Sequence, residues 1–454
     1  MFYIVETENS ANELFDSFNE ETSIYLDVIT FHDYHHPKLQ SPCCIYIRPL
    51  DGHKGYIIPI KHSESLSVKL SAISSRLSNI GQDRIFSQNG KFIKYYFRNL
   101  QVLDISFYSS INGSEVNLDY TVSSIKTNFY KKYKKNDANF YVPIVKLYEE
   151  KEEQFNALLP IMKKMINYKD LPGYKYFKEV SLASNELFYI IESNGIKLKK
   201  QSFVEHFSNV HTPAYSMSRG KIYSYYNLYN YTGRPSNSFN GINFLALNKD
   251  NGERKAFIPS NDILMDLDFS SYHVYLISRM INYDFGGDGD IHTHLGRLYF
   301  GKEDLTKEEY EKAKQITFSN IYGGIRREYS KIPFFIALDG HIKKIFSELQ
   351  EKGEYLFDIN GRVYKLEHFN SVNSTKFFNY LLQGLESYVN LSVLNKFFSL
   401  LNGKKSKIIL YLYDSFLFDL DATEKEEIVE SINQFLTNKI AYKVKYGSNY
   451  NDLS

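Results

Sequence analysis

The chain has 454 residues, more than one ordinary domain of roughly 100–200 residues, so two or three domains are expected. With 43% apolar and 24% charged residues it can bury a sizeable core, which excludes global disorder, and its two adjacent cysteines, Cys43 and Cys44, exclude a disulfide scaffold and a cysteine-based zinc site. A net charge of +1 decides nothing about polyanionic partners, while the absence of a signal-like start or of an apolar run of about 18 residues points to a cytoplasmic protein with no membrane partner.

Ser23–Leu26, Cys44–Arg48 and Tyr56–Ile60 are short β-rich runs separated by turn residues. A helical stretch follows near Ser67–Ile80, a strand near Val102–Phe107, and a helix at Glu149–Ile166 despite one proline. Asn167–Tyr174 carries Pro, Gly and polar residues and is the expected domain boundary, dividing the chain into 1–166 and 167–454. Ser184–Ser193 opens on a cap-like Ser-Asn-Glu and reads as a helix ending at Asn194–Gly195. The polar, tyrosine-rich stretch from His206 to Asn243 reads as loops with short strands. Ile263–Asp268 is a predicted strand, and Thr306–Tyr322 a helix with Thr306 as N-cap, Glu308 and Glu309 in its first turn, and Gly323–Gly324 as its stop. Asn373–Leu400 is a long helix, and Lys407–Leu420 a hairpin folded about Asp414 and Ser415.

Asp268 and Asp414 each end a hydrophobic strand. A buried lone carboxylate costs several kcal/mol unless it is paired or binds a metal. Both could be turn or N-cap residues; together they could also form a divalent-metal pair. Lys314, Phe318 and Tyr322 at i, i+4 and i+8 line one helix face over about 12 Å. That face is either an ordinary amphipathic stripe, or one that holds a triphosphate at one end and stacks a base at the other.

The segment KQITFSNIYG at Lys314–Gly323 resembles motif B of family A DNA polymerases, R-x-x-x-K-x-x-x-[FY]-x-x-x-Y-G. Asp268–Ser270 resembles the start of motif A (D-x-S-x-x-E-x-R), and Tyr413–Ser415 resembles motif C (H-D-E). In family order stand also TGRPSN at Thr232–Asn237, GDIHTHLGRLYFG at Gly289–Gly301, Asn379 with Gln383-Gly384 for N-x-x-x-Q-G, and the ending YGSNYNDLS. The resemblance spans roughly Ser184–Ser454. It implies an α+β chain whose palm, built on an antiparallel sheet, carries helical fingers. The implied activity is template-directed addition of deoxynucleotides to a primer 3′-hydroxyl, with primer–template DNA and deoxynucleoside triphosphates as partners.

By the same resemblance Asp268 and Asp414 would hold two Mg²⁺, or Mn²⁺ in their place, about 3.5–4 Å apart. Lys314 would neutralise phosphate charge, with Phe318, Tyr322, His273 and Tyr310 around the nucleotide. Thr232, Arg234, Asn379 and Gln383 would contact the DNA. Five positions depart from the pattern. His273 stands for the motif A Glu that excludes a 2′-hydroxyl, and Tyr275 for its Arg. Tyr310 stands for the motif B Arg, unless Lys312 or Arg297 replaces that contact, and Tyr413 and Ser415 flank Asp414 for His and Glu. A non-catalytic nucleic-acid-binding replication accessory protein that keeps a polymerase fold is the alternative.

The first 166 residues resemble the 3′–5′ exonuclease domain of the same family, an RNase H-like α/β fold. YLDVIT keeps Asp27 but has Ile29 for Glu, SQNGKFIKY has Ile93 for Asp, and FYVPIVKLY has Val145 for Asp. One carboxylate cannot hold two metals, so no proofreading is expected. Only 33 residues separate ESNGIKL (Glu192–Leu198) from Thr232, too few for the family's helical thumb plus strands. A distributive enzyme follows, unless a processivity or thumb-substituting protein or the first domain grips the duplex.

Overall fold

The computed structural model describes residues 2–32, 36–112, 138–207, 217–237, 242–286, 290–437 and 439–453. Gly289, Ser454 and parts of the expected loop stretch 206–243 and of the thumb interval lie outside the described residues. The chain forms two compact units, one of Met1–Tyr229 with Ser236–Ile258, the other of Asn230–Pro235 with Pro259–Ser454. The boundary expected near 167 falls inside the first unit, at the turn between helices Ile144–Tyr168 and Tyr174–Asn194.

Six strands of the first unit are β1 (Phe2–Ile4), β2 (Ile24–Thr30), β3 (Pro42–Pro49), β4 (Gly55–Pro59), β5 (Ile85–Ser87) and β6 (Leu103–Asp104). They form one sheet in the order β1-β4-β3-β2-β5-β6. β2 runs antiparallel to β3 and parallel to β5, which agrees with the RNase H-like expectation. Every residue of β2 is buried, so its sequence is a continuous apolar run broken only by Asp27. Ile24, Leu26, Ile45, Ile47, Ile58 and Ile85 close one core against helix Leu70–Leu77.

Two expected elements differ. Val102–Phe107 yields only the two-residue β6, because the Asp104 carboxylate accepts from the Phe107 amide and starts helix Ile105–Ile111. Ser184, Asn185 and Glu186 are no cap: the helix reaches back to Tyr174, and Phe177, Val180, Leu187, Phe188 and Ile191 continue its buried stripe.

A small antiparallel sheet in the same unit joins β7 (Ile196–Leu198), β8 (Met217–Ser218), β9 (Lys221–Ile222) and β10 (Phe257–Ile258) in the order β10-β7-β9-β8. Between β7 and β8 stands helix Lys200–Phe207.

The second unit is built on β11 (Ile263–Phe269), with the hairpin β12 (Glu354–Phe357) and β13 (Arg362–Lys365), then β14 (Lys407–Tyr411), β15 (Ser415–Leu420) and β16 (Tyr442–Gly447). β14-β15-β11-β16 is a fully antiparallel sheet, as expected for a palm. Helix Lys307–Gly323 starts with a complete capping box between Thr306 and Glu309 and ends at Gly324, where φ is 95°. Helix Ser374–Leu400 is capped by Asn373. Among the described residues no helix is long and apolar enough to cross a membrane.

Candidate functional site

Asp268 is the next-to-last residue of β11, and Asp414 lies in the turn between β14 and β15. The Phe269 amide donates to the Asp414 carbonyl at 2.8 Å, and Asp268 pairs with Ser415 across the ladder, so the two aspartates are neighbours on adjacent strands. The Asp268 carboxyl is pushed up to about 6, first by burial and then by the charges of Asp414 and Asp266. Asp414 is raised too, by desolvation and then by the Glu386 carboxylate, against the pull of Arg234 and His273.

Such mutual repulsion is what a divalent cation relieves. Two hard oxygen donors suit Mg²⁺, which keeps waters and substrate phosphates as its other ligands. Among the described residues no group of three or more metal-ligating side chains clusters. The candidate donors are the aspartate pair, with Asp266 beside it on the same face of β11. Asp266 accepts a 2.7 Å hydrogen bond from the Ser415 hydroxyl, which accounts for serine after Asp414. Lys443 and Lys445 of β16 face Asp268 and Asp266 across the sheet, and neither stands in a motif read from the sequence.

The backbone departs from common conformations beside each aspartate. Ser271 has φ 53° and Tyr413 has φ 67°, left-handed values that ordinary side chains adopt only under constraint. For Tyr413 that constraint is Asn390. Its amide donates to the Tyr413 carbonyl at 2.7 Å and to the Tyr411 hydroxyl at 3.0 Å, while its oxygen accepts from the Tyr272 hydroxyl at 2.8 Å.

Helix Ser374–Leu400 carries Asn379, Gln383, Glu386 and Asn390 at i, i+4, i+7 and i+11, one continuous face. Gly384 belongs there because a Cβ would come within 2.7 Å of the Tyr364 hydroxyl and 3.2 Å of the Thr232 carbonyl. Arg234, two residues on, ion-pairs with Glu386 through Nε at 2.8 Å and Nη2 at 3.0 Å, and its guanidinium lies 3.6 Å from the Tyr413 ring centroid. His273 Nε2 lies 3.3 Å from Glu386 Oε1, and its Nδ1 shares a hydrogen bond with the Tyr322 hydroxyl. The Asn379 amide donates to the Tyr322 carbonyl at 3.3 Å.

Glu386 is thus the hub of the site, 1% exposed, and it belongs to none of the candidate residues read from the sequence. The available signal was a lone carboxylate on the apolar face of a long helix, in register with Asn379 and Gln383.

Phe318 and Tyr322 stack with centroids 6.1 Å apart and planes 10° apart. Lys314 stands further up that helix, 4.6 Å from the Tyr310 ring centroid and 3.4 Å from a Glu311 oxygen. Tyr310, in the arginine position of the motif, therefore supports Lys314. The buried imidazole of His292 packs edge-on against Phe318, and burial lowers it to about 4, so it is neutral near pH 7. The structure brings together Asp268, Asp414, His273, Tyr322, Arg234 and Asn379. Thr232 meets the helix through its carbonyl, Gln383 lies along the same face, and Lys314 and Tyr310 form a separate pair.

In the first unit Asp27 is buried on β2, and Lys151 donates to its carboxylate at 2.6 Å, with Gln154 at 3.0 Å on the same ammonium. A lysine of helix Ile144–Tyr168 thus supplies the positive charge beside this carboxylate. Ile29 and Ile93 are core residues, and Val145 is exposed.

No family model matches the chain. It is 26% identical over 249 residues to a DNA polymerase I of Caldicellulosiruptor bescii, covering 47% of this chain and 29% of that protein. To a DNA polymerase I of Lactococcus lactis it is 24% identical over 254 residues (47% and 28%), and to one of Helicobacter pylori 25% over 218 residues (41% and 24%). The chain spans less than a third of the length of these curated relatives. Its fold matches the POL domain of Pol1 from M. smegmatis, solved in complex with DNA primer-template and dNTP, with a TM-score of 0.70 and 15% identity over 99% of both chains.

Proposed function

Taking this chain as a divergent relative of DNA polymerase I, we propose that it is a template-directed DNA polymerase that extends a primer 3′-hydroxyl with deoxynucleotides. The observation that carries the reading is the aspartate pair. Asp268 and Asp414 sit side by side at the ends of antiparallel strands, and both carboxyls are pushed up by burial and neighbouring negative charge.

These two side chains would hold Mg²⁺. When bound, the metal supplies charge neutralisation and Lewis acidity to phosphoryl transfer. The rest is positioning by the chain. Lys314, backed by Tyr310, would bind the triphosphate, and the Phe318–Tyr322 stack would lie against the incoming nucleotide. His273 would hold the Tyr322 hydroxyl where the sugar is read. Thr232, Asn379 and Gln383 would face the primer–template, and Arg234, engaged by Glu386 through two nitrogens, would offer Nη1 to a phosphate.

In this reading residues 1–166 are an exonuclease-like domain that does not cleave, since Lys151 neutralises the one carboxylate left. Residues 167–454 form the polymerase domain.

The test is extension of a labelled primer on a defined template, with and without Mg²⁺, by the unsubstituted chain and by Asp268→Asn. Extension that needs both the metal and Asp268 supports the proposal. DNA binding without any extension would favour the non-catalytic accessory reading.

A further inference from the structure

β7 and β9 pair with Lys197 opposite Lys221, and the Leu198 amide donates to the Gly220 carbonyl at 2.9 Å. Continuing that register sets Arg219, in the tight turn between β8 and β9, beside Lys199. Ile196, Ile222 and Phe257 point to the other side and are buried, so one face of this ribbon is core and the opposite face is basic.

Three features of that face need explaining. Like charges directly opposite on a ladder repel, and of the two only Lys221 is held by the fold, its ammonium donating to the Asn194 carbonyl at 3.3 Å. The ribbon itself supplies no carboxylate, since the segments 196–200 and 217–222 contain no Asp or Glu. Glu192, nearest in the chain, is buried against Lys91, Tyr95 and the Tyr226 amide, and Glu253 is taken by the Asn248 amide and Asn251. The side chains of Lys197, Lys199 and Arg219 are exposed and have no ion-pair or hydrogen-bond partner among the described residues. Finally, Arg219 has φ 50° and Gly220 φ 74°, the conformation of a two-residue hairpin turn whose favoured first residue is Asn, not Arg. A cation is held at the tip in a strained position.

We propose that the basic face of this ribbon, Lys197, Lys199, Arg219 and Lys221, binds the phosphate backbone of duplex DNA. Residues two apart on a strand are about 6.6 Å apart, and cross-strand partners about 5 Å, so the face offers closely spaced cations to a polyanion of similarly dense charge. Its neighbours across the sheet are Ser218 and Ile258, and the ring of Tyr223, two residues beyond Lys221, is packed against His36 rather than free to stack on an unpaired base. Backbone contact to a duplex fits better than single-strand capture. The partner's identity rests on the polymerase reading above.

The test is anisotropy titration of a labelled primer–template duplex between about 50 and 200 mM salt, the range over which phosphate contacts dominate the salt response. Each phosphate contact contributes about −0.9 to the slope of log K against log salt, so K197Q/K199Q/R219Q is expected to flatten the slope by about 2.7, and K197Q alone by about 0.9. Thermal melts confirm that both variants fold. K163Q/K164Q/K175Q carries the same charge change on the two long helices. A slope unchanged in the ribbon variants, an equal change in this reference variant, or no duplex binding by the unsubstituted chain overturns the inference. If the unsubstituted chain extends primers while the ribbon variants keep the full slope, this inference fails and the polymerase reading stands. If the slope flattens in a chain that extends nothing, the ribbon binds duplex and the polymerase reading fails.

Discussion

Replacing Glu386 by Gln removes one charge from the centre of the site and almost no volume. The carboxylate is 1% exposed and receives Arg234 through contacts at 2.8 and 3.0 Å, with His273 at 3.3 Å. With glutamine in that place one oxygen remains an acceptor, while the new amide turns donors toward the guanidinium. A hydrogen bond to a charged group is worth about 1.5–3 kcal/mol, and breaking a fully buried ion pair costs about 3–5 kcal/mol. Arg234 keeps a quarter of its side chain in solvent, which screens the charge left behind, so the expected cost is below that range, about 2–3 kcal/mol. For a unit of roughly 200 residues that lowers the melting temperature by about 4–12 °C. Calorimetry of Glu386→Gln, Arg234→Gln and the double variant measures it, because a real pair shows coupling above about 0.5 kcal/mol in the cycle. A melting temperature within about 1 °C of the unsubstituted protein, with no coupling, would refute the hub assignment.

Asp268→Asn and Asp414→Asn are each expected to lower primer extension by orders of magnitude while leaving the melting temperature unchanged or higher, because each relieves charge repulsion; near-normal extension by either would end the metal-pair assignment. Asp27→Ala should alter neither degradation of an end-labelled primer nor mismatch incorporation, since Lys151 already neutralises that carboxylate, and metal-dependent trimming that vanishes in the variant would contradict this. His273→Glu would set two carboxylates against each other at Glu386, so sugar selection is best compared in His273→Glu/Glu386→Gln; the unsubstituted chain is expected to incorporate ribonucleotides more readily, and equal rejection would falsify it. Arg219→Asn should stabilise the first unit by about 0.5–1 kcal/mol through the left-handed turn position while weakening duplex binding, and a loss of stability in this variant would show that the arginine side chain supports the fold.

The elements most legible in the sequence are those whose determinants are local. Helix Lys307–Gly323 carries its capping box, its apolar period and its glycine stop within one stretch, and it forms as read. β2 and β3 announce themselves by β-branched and aromatic runs. Misreadings arise where one residue's partner is distant or its neighbours override it. Asp104 turns an expected strand into a helix start, and Asn185, cap-like in sequence, instead donates from mid-helix to Asp104 at 3.1 Å. Asp268 and Asp414 were legible because a carboxylate at the end of an apolar strand is costly by itself. Glu386 was not, since a glutamate in a helix is ordinary until the fold brings Arg234, some 150 residues away, against it. Lys151 and Asp27, 124 residues apart, are the same case in the first unit.

The departures from the family pattern read differently once Glu386 is in view. The resemblance places at position 273 a carboxylate that excludes a 2′-hydroxyl, and an imidazole stands there instead. In the fold the carboxylate stands behind that imidazole on another helix: Glu386 meets His273 at 3.3 Å, and His273 meets Tyr322. A negative charge therefore stands one side chain behind position 273, and Arg234 holds it there from the Thr232–Arg234 turn. Its field still reaches the chemistry, since Glu386 raises Asp414 while Arg234 and His273 oppose it. His273 against Tyr322 and Glu386 behind it therefore set a buried carboxylate one side chain away from the Tyr322 hydroxyl. Counting motif residues in the sequence scores the first as a loss and cannot see the second.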